Sequence, residues 1–316
     1  MSSAPAASAR DDLSLPFVIG NGAIRGRIVR LSSSVDSILT RHGDPNPVGE
    51  LLGQAMVAAV ALSSGLKYDG IFTFQVSGDG PVHTLVTDLT SAGDLRACAK
   101  FDPEKLAKVL ASGRPEHLQP HLLGGGHLTF TVDQGPDTDR YQGITELTGG
   151  SLADSVHHYF RQSEQLPSAI KLAVAQPSAT QAHWRAAGVV LQRMPQAGLS
   201  MSSDELEDLW RTAVVLMGSV TDAELISGEL PADRLAHRLF ATLGCVPGAA
   251  KAFRAHCRCS RTRTERILAS FPAHEIKGFA ENGTIRMTCE FCRTDYLFSE
   301  AEVDALHAAK ATETDQ

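Results

Sequence analysis

Cys257-Arg258-Cys259, a spacer of 29 residues, and Cys289-Glu290-Phe291-Cys292 hold four of the six cysteines in this chain of 316 residues. Two tight pairs near one end are the distribution a tetrahedral metal site needs, because each short loop offers two thiolates and zinc accepts four such ligands. The competing readings are two chance pairs of buried cysteines, which this spacing argues against, and the disulfides of a secreted protein. Residues 1–13 (MSSAPAASARDDL) are small and polar and lack the apolar stretch of a secretory signal. The expectation is a cytoplasmic chain with reduced, metal-binding thiols. Cys-x-Cys is less usual than Cys-x-x-Cys in a plain zinc ribbon. A disulfide closed across one intervening residue is strained and easily reduced again, which suits a reversible switch.

Around the cysteines, Thr264 to Phe271 and Glu275 to Ala280 are patterned as short helices, and Thr284 to Thr288 as a strand leading into the second pair. Ser299-x-x-Glu302 is a capping box that opens a final helix. This small module, residues 251–308, has few large apolar groups, so metal binding is expected to supply much of its folding energy. Residues 309–316 read as a tail.

The region before it, residues 198–250, is helical and amphipathic. Ser203 is placed to cap a helix carrying Leu206, Leu209, Trp210, Ala213, Val214 and Met217 at helical spacing, and Pro231 opens another with Leu235, Leu239 and Phe240. Gly244-Cys245-Val246-Pro247-Gly248 breaks it. Two helices are too few for a core of their own, so their apolar stripe is expected to lie on the sheet of the preceding domain.

That domain, residues 15–197, alternates strand patterns with a few helices and has no regular βαβ rhythm, which indicates a two-layer α+β fold. Strands are expected at Phe17 to Leu31 (broken by a Gly20-Asn21-Gly22 turn), Ile71 to Val76, Val82 to Asp88, Leu95 to Phe101, Leu128 to Val132, Tyr141 to Leu147, Ile170 to Ala175 and Gly188 to Met194. Helices are expected after Ser33 or Ser34, from Asn46-Pro47 to about Gly65, and from Ser151 to Gln165. The second is small and apolar nearly all round, so it belongs in the interior. Residues 1–14 read as a disordered tail.

A net charge of -7 argues against a phosphate-bound nucleic-acid partner, and the cysteine module, with nine Lys or Arg and eight Asp or Glu, has no basic face. The longest purely apolar run, Ala55 to Leu62, is eight residues, far short of a membrane span. No nucleophile elbow, phosphate loop or His-Glu-x-x-His motif is present, and His274-Glu275 lacks the second histidine. His157-His158 reads as helix surface, not as a ligand pair. Thiol oxidoreductase chemistry through Cys289-x-x-Cys292 is an alternative, as is a zinc ribbon binding RNA or a transcription complex. The second cysteine pair and the acidic balance count against them respectively.

Beyond the cysteines, Ser77-Gly78-Asp79-Gly80-Pro81, Arg140-Tyr141-Gln142-Gly143, Tyr159-Phe160-x-x-Ser163-Glu164-Gln165-Leu166-Pro167, Ala187-Gly188-x-x-Leu191-Gln192 and Tyr296-Leu297-Phe298 fall in the order of a known family. From about residue 17 to 308 the chain resembles the redox-regulated heat-shock holdases, also called 33-kDa chaperonins. The resemblance implies an ATP-independent chaperone, not an enzyme, with one zinc on Cys257, Cys259, Cys289 and Cys292 when reduced. It further implies that oxidation forms Cys257–Cys259 and Cys289–Cys292, expels zinc, unfolds the module and loosens the linker, whereupon unfolded client proteins bind and the chain forms a homodimer. His256 adjoins the first pair and is expected to be a bystander, and Cys98 and Cys245 to be dispensable. The stretch Leu243 to His256 is less acidic than the family pattern and carries Cys245 as an addition.

Overall fold

The computed structural model describes residues 11–113, 118–135, 138, 140–162, 165–195 and 201–314, with side chains through 308. Strands β1 (Leu13–Ile19) and β2 (Ile24–Leu31) pair antiparallel around a turn in which Gly20, Asn21 and Gly22 all take positive φ. Helix α1 (Ser33–His42) follows at once. It is not capped by its own serines: the carboxylate of Asp12 accepts the backbone N–H groups of Ser32, Ser33 and Ser34. An acid there satisfies orphan amides at the positive end of the helix. Asp11 and Asp12 are buried and the sheet starts at Leu13, so the tail boundary expected at residue 14 is corrected to lie before residue 11.

Helix α2 (Asn46–Ser63), with Pro47 in its first turn, is buried at every position from Leu51 to Ser63. A meander of β3 (Ile71–Gly78), β4 (Val82–Thr90) and β5 (Asp94–Phe101) comes next. Then two helices appear that the apolar pattern did not announce, α3 (Pro103–Ala111) and α4 (Leu118–Leu123). The signal for α3 was local: Asp102 accepts from the amides of Glu104 and Lys105, and Pro103 occupies the first turn. Strands β6 (Gly126–Asp133) and β7 (Tyr141–Glu146), helix α5 (Leu152–Gln162), and strands β8 (Ser168–Ala175) and β9 (Arg185–Arg193) complete the body. Helix α5 is described through Gln162, and Gln165, the expected end, is outside it with positive φ; Ser163 and Glu164, and the expected domain boundary at 197, lie outside the described residues.

The strands form two antiparallel sheets, β1-β2-β9-β8 and β5-β4-β3-β6-β7. One apolar cluster joins their facing sides around α2, with Val29 and Val190 from the first sheet and Phe72, Phe74 and Leu85 from the second. The class is α+β, and its layering is more elaborate than two layers, since α2 lies between the sheets.

A further helical layer covers the opposite face of the first sheet: α6 (Ser203–Gly218), α7 (Asp222–Ile226) and α8 (Ala232–Phe240). Ser202 and Glu205 form the capping box of α6, and Thr221 and Glu224 that of α7, a helix too short to show periodicity in sequence. Leu206, Ala213, Met217, Leu235 and Phe240 pack against Phe17, Ile19, Ile28 and Leu191, with Leu209, Trp210 and Val214 partly buried beside them. The ring of Phe240 stacks on Phe17 at 5.3 Å.

Short strands β10 (Val246–Pro247) and β11 (Lys251–Ala252) pair with β1, and β12 (Arg254–Ala255) pairs parallel with β5. The first compact unit therefore runs through Ala255 and the second begins at His256, which moves the expected module boundary from 251 to 256. The second unit contains α9 (Arg261–Leu268), α10 (Ala273–Lys277), the hairpin β13 (Thr284–Thr288) and β14 (Asp295–Ser299), and α11 (Glu300–Thr314). Helix α11 continues to Thr314, into the tail expected from 309. The unit's core is five buried side chains, Leu268, Ile276, Ile285, Phe298 and Val303.

Candidate metal centre

Cys257 and Cys259 stand on the extended stretch ahead of α9, and Cys289 and Cys292 on the turn joining β13 to β14. That turn closes on itself. The Cys289 amide donates to the Thr294 carbonyl at 2.9 Å, and the Arg293 amide donates to the Cys289 carbonyl at 2.8 Å with Arg293 at φ 53°. The chain reverses tightly enough to bring Cys292 back beside Cys289.

All four sulfurs lie within 4.8 Å of one another. Cys257 Sγ is 3.8 Å from Cys289 Sγ, and Cys259 Sγ is 3.3 Å from Cys292 Sγ. In a regular tetrahedron with metal–sulfur bonds of ~2.3 Å the sulfurs stand about 3.8 Å apart. The observed spacing brackets that value, so the four residues can hold one metal ion.

His256 is not part of this sulfur cluster, while His157 and His158 lie on α5 and His274 and Glu275 on α10. Cys98 is buried on β5, and Cys245 is half-buried against the covering helical layer.

Two polar neighbours complete the site. The Tyr296 hydroxyl donates to Cys259 Sγ at 3.2 Å, and the Thr294 hydroxyl lies 3.2 Å from Cys292 Sγ. Neither is a metal-ligand residue type in this setting, so spacing rules pass over them. Their signal is position, immediately after the second pair on the returning strand.

Without a metal, crowding divides the thiols. Burial pushes Cys259 up to about 12, assisted by the adjacent Cys292 and Cys257, and burial also raises Cys289. Cys292 goes down to about 7: burial, its largest single influence, opposes the shift, and the Thr294 hydroxyl and amide with Cys259 and Cys289 outweigh it. Tyr296 rises to about 12 because its hydroxyl is engaged with Cys259. A cation at the centre would reverse the penalty on the buried thiolates.

These features define an α+β protein with a covering helical layer and a compact four-cysteine module that can hold a metal ion. The chain belongs to the Hsp33 protein family, which it matches over residues 12–299. It is 40% identical over 295 residues to the 33 kDa chaperonin of Caulobacter vibrioides strain NA1000, covering 93% of this chain and 96% of that protein. It is 31% identical over 299 residues to that of Pseudomonas fluorescens strain SBW25, covering 94% of each. The crystal structure of the 33 kDa chaperonin from Thermotoga maritima shares its fold, with a TM-score of 0.77 at 21% identity over 95% of this chain and 99% of that one.

Proposed function

We propose that this chain is a redox-regulated, ATP-independent chaperone that holds unfolded proteins and prevents their aggregation. Family membership supports the chaperone reading, and the observation that carries its regulation is the group of four sulfurs within 4.8 Å of one another. In the resting state Cys257, Cys259, Cys289 and Cys292 hold one zinc ion. Zinc, when bound, keeps all four sulfurs as thiolates, the form that oxidants attack.

Activation is the closure of Cys257–Cys259 and Cys289–Cys292. Each bond forms as two thiolates give up two electrons; with hydrogen peroxide as oxidant, two protons from solvent accompany them and two molecules of water leave. The module then has no metal ligands, and its core of five side chains is too small to hold it folded. The α+β body provides the client-holding domain, the helices α6 to α8 the regulatory linker, and the active form is a homodimer. The activity is binding without turnover, in the cytoplasm. The acidic net charge weighs against nucleic acid as the partner, and among the described residues no helix is long and apolar enough to cross a membrane.

Peroxide treatment of the zinc-loaded protein, followed with a zinc-sensitive dye and by mass mapping, tests this. Release of one zinc per chain together with the 257–259 and 289–292 linkages is the expected result. Crosswise linkages, or zinc retained after full oxidation, would refute the switch.

A further inference from the structure

We propose that a small cavity built around Arg27, at one end of the layer between the two sheets, is a binding site for a carboxylate carried on a phenyl-sized apolar group. Strand β2 points Arg27 to the same side as Val29 and Leu31, towards α2 and the second sheet and away from the linker helices. The guanidinium thereby enters a space of about 150 Å³ beside the end of α2, walled by Phe72, Phe130, Tyr159 and Phe160. The wall rings pack on one another: Phe130 stacks on Phe72 at 6.0 Å and meets Tyr159 edge-on at 4.3 Å. Phe72 is 0% and Phe130 2% exposed, whereas Leu66 and Tyr141, 40% and 51% exposed, mark the open mouth.

Among the described residues no carboxylate compensates the charge in this cavity. Arg27 Nη1 donates to Gln192 Oε1 at 3.2 Å, its Nε is buried without a hydrogen-bond partner, and no carboxylate pairs with it among the described residues. Burial, and after it the neighbouring Arg25, lower its pKa, the direction in which an unpaired buried cation is penalised. A guanidinium stays charged at neutral pH and presents a planar fork that fits a carboxylate. A space of about 150 Å³ is large enough for a benzene-sized group. Aromatic walls and the Arg27 guanidinium, without a carboxylate partner among the described residues and with Arg25 also lining the space, select an apolar acid over both a neutral hydrocarbon and an amine.

The site is independent of the cysteine switch, so it is tested on the reduced, zinc-loaded chain. The probe is 3-phenylpropionate, with the neutral isostere 3-phenylpropionamide beside it, and the readout is the methyl resonance of Met194, which lines the cavity. A saturable shift is expected with the acid, and binding weaker by roughly tenfold or more with the amide, because only the acid pairs the buried charge. Arg27→Lys should retain the preference for the acid and Arg27→Met should erase it; the acid–amide comparison in the natural protein decides the matter if Arg27→Met does not fold. A peptide ending in phenylalanine, with free or amidated C-terminus, identifies the source: displacement of the acid by the free form alone assigns the site to chain termini, and no displacement assigns it to a small molecule. Equal binding of acid and amide, or no saturable shift with either, would overturn the proposal.

Discussion

Arg30 Nε, on a residue only 1% exposed, donates to the carbonyl oxygen of Leu225 at 3.0 Å. Its Nη2 donates to the Glu224 carbonyl at 3.2 Å and its Nη1 to that of Leu230. A cation on β2 thus satisfies the carbonyls at the end of α7 and in the loop before α8, with Asp11 at 4.0 Å as its counter-ion. This is one polar fastening of the helical layer to the sheet, beside Arg185, whose Nε donates to the Ile226 carbonyl, and the Lys171–Asp222 and Arg193–Glu207 ion pairs.

Replacing Arg30 by Met should loosen that fastening. Each carbonyl left dry and unpaired costs about 1–3 kcal/mol, so the loss is large against the stability of a docked layer. Amide exchange in α7 and α8 should accelerate while zinc stays bound. Unchanged protection in those helices would show that the Arg30 contacts do not hold the layer.

Leu209 belongs to the apolar half of the contact, half-buried beside the buried Leu206, Ala213 and Met217. Gly20 sits at φ +59°, and a Cβ there would lie 2.4 Å from Leu209 Cδ2, so the turn is shaped to receive that side chain. Burying such side chains contributes on the order of 1.5–3 kcal/mol each before entropy is subtracted, which leaves the layer marginal. Leu209→Asp should give aggregation-suppressing activity in the reduced protein with zinc still bound. An undocked linker by hydrogen exchange without activity would place the gate elsewhere.

Tyr296→Phe removes the hydroxyl that donates to Cys259 Sγ. Partners of metal ligands typically contribute about 10–100-fold to affinity, and a hydroxyl on a half-buried tyrosine belongs at the lower end. Competition with a chelator should show zinc held roughly tenfold more weakly, while His256→Ala leaves stoichiometry and affinity unchanged. Loss of zinc from the histidine variant would contradict the four-sulfur assignment.

Cys245 reports on docking. Burial against the linker layer raises its thiol pKa, so less thiolate is present at pH 8 than for an ordinary cysteine and alkylation is slower. The rate should climb as pH rises, and it should increase at fixed pH in Leu209→Asp as the thiol returns to water. The same rate in both proteins would mean that Cys245 is not covered by the docked layer. Its replacement by Ser should leave switching intact.

The strands and the buried helix α2 were legible because alternation and an all-apolar run are strong, local signals. The four cysteines were legible because chemistry and spacing coincide. Helix α7 was not, since five residues carry no period, and neither was the role of Gly20-Asn21-Gly22, which reads as a plain turn until Leu209 is set against it. The boundaries failed for one physical reason: Asp12 and residues 251–255 are held by partners distant in sequence, Ser32 to Ser34, β1 and β5. Tyr296 could be quoted from its segment, but its bond to Cys259 depends on the hairpin register.

The most direct test of the account is light scattering from a chemically unfolded client diluted into the protein in two states, reduced with zinc and oxidised without it. Suppression of aggregation at stoichiometric amounts by the oxidised form alone, reversed by reduction with zinc, is the predicted result. Equal suppression by both forms, or suppression by the reduced zinc form alone, would contradict the account.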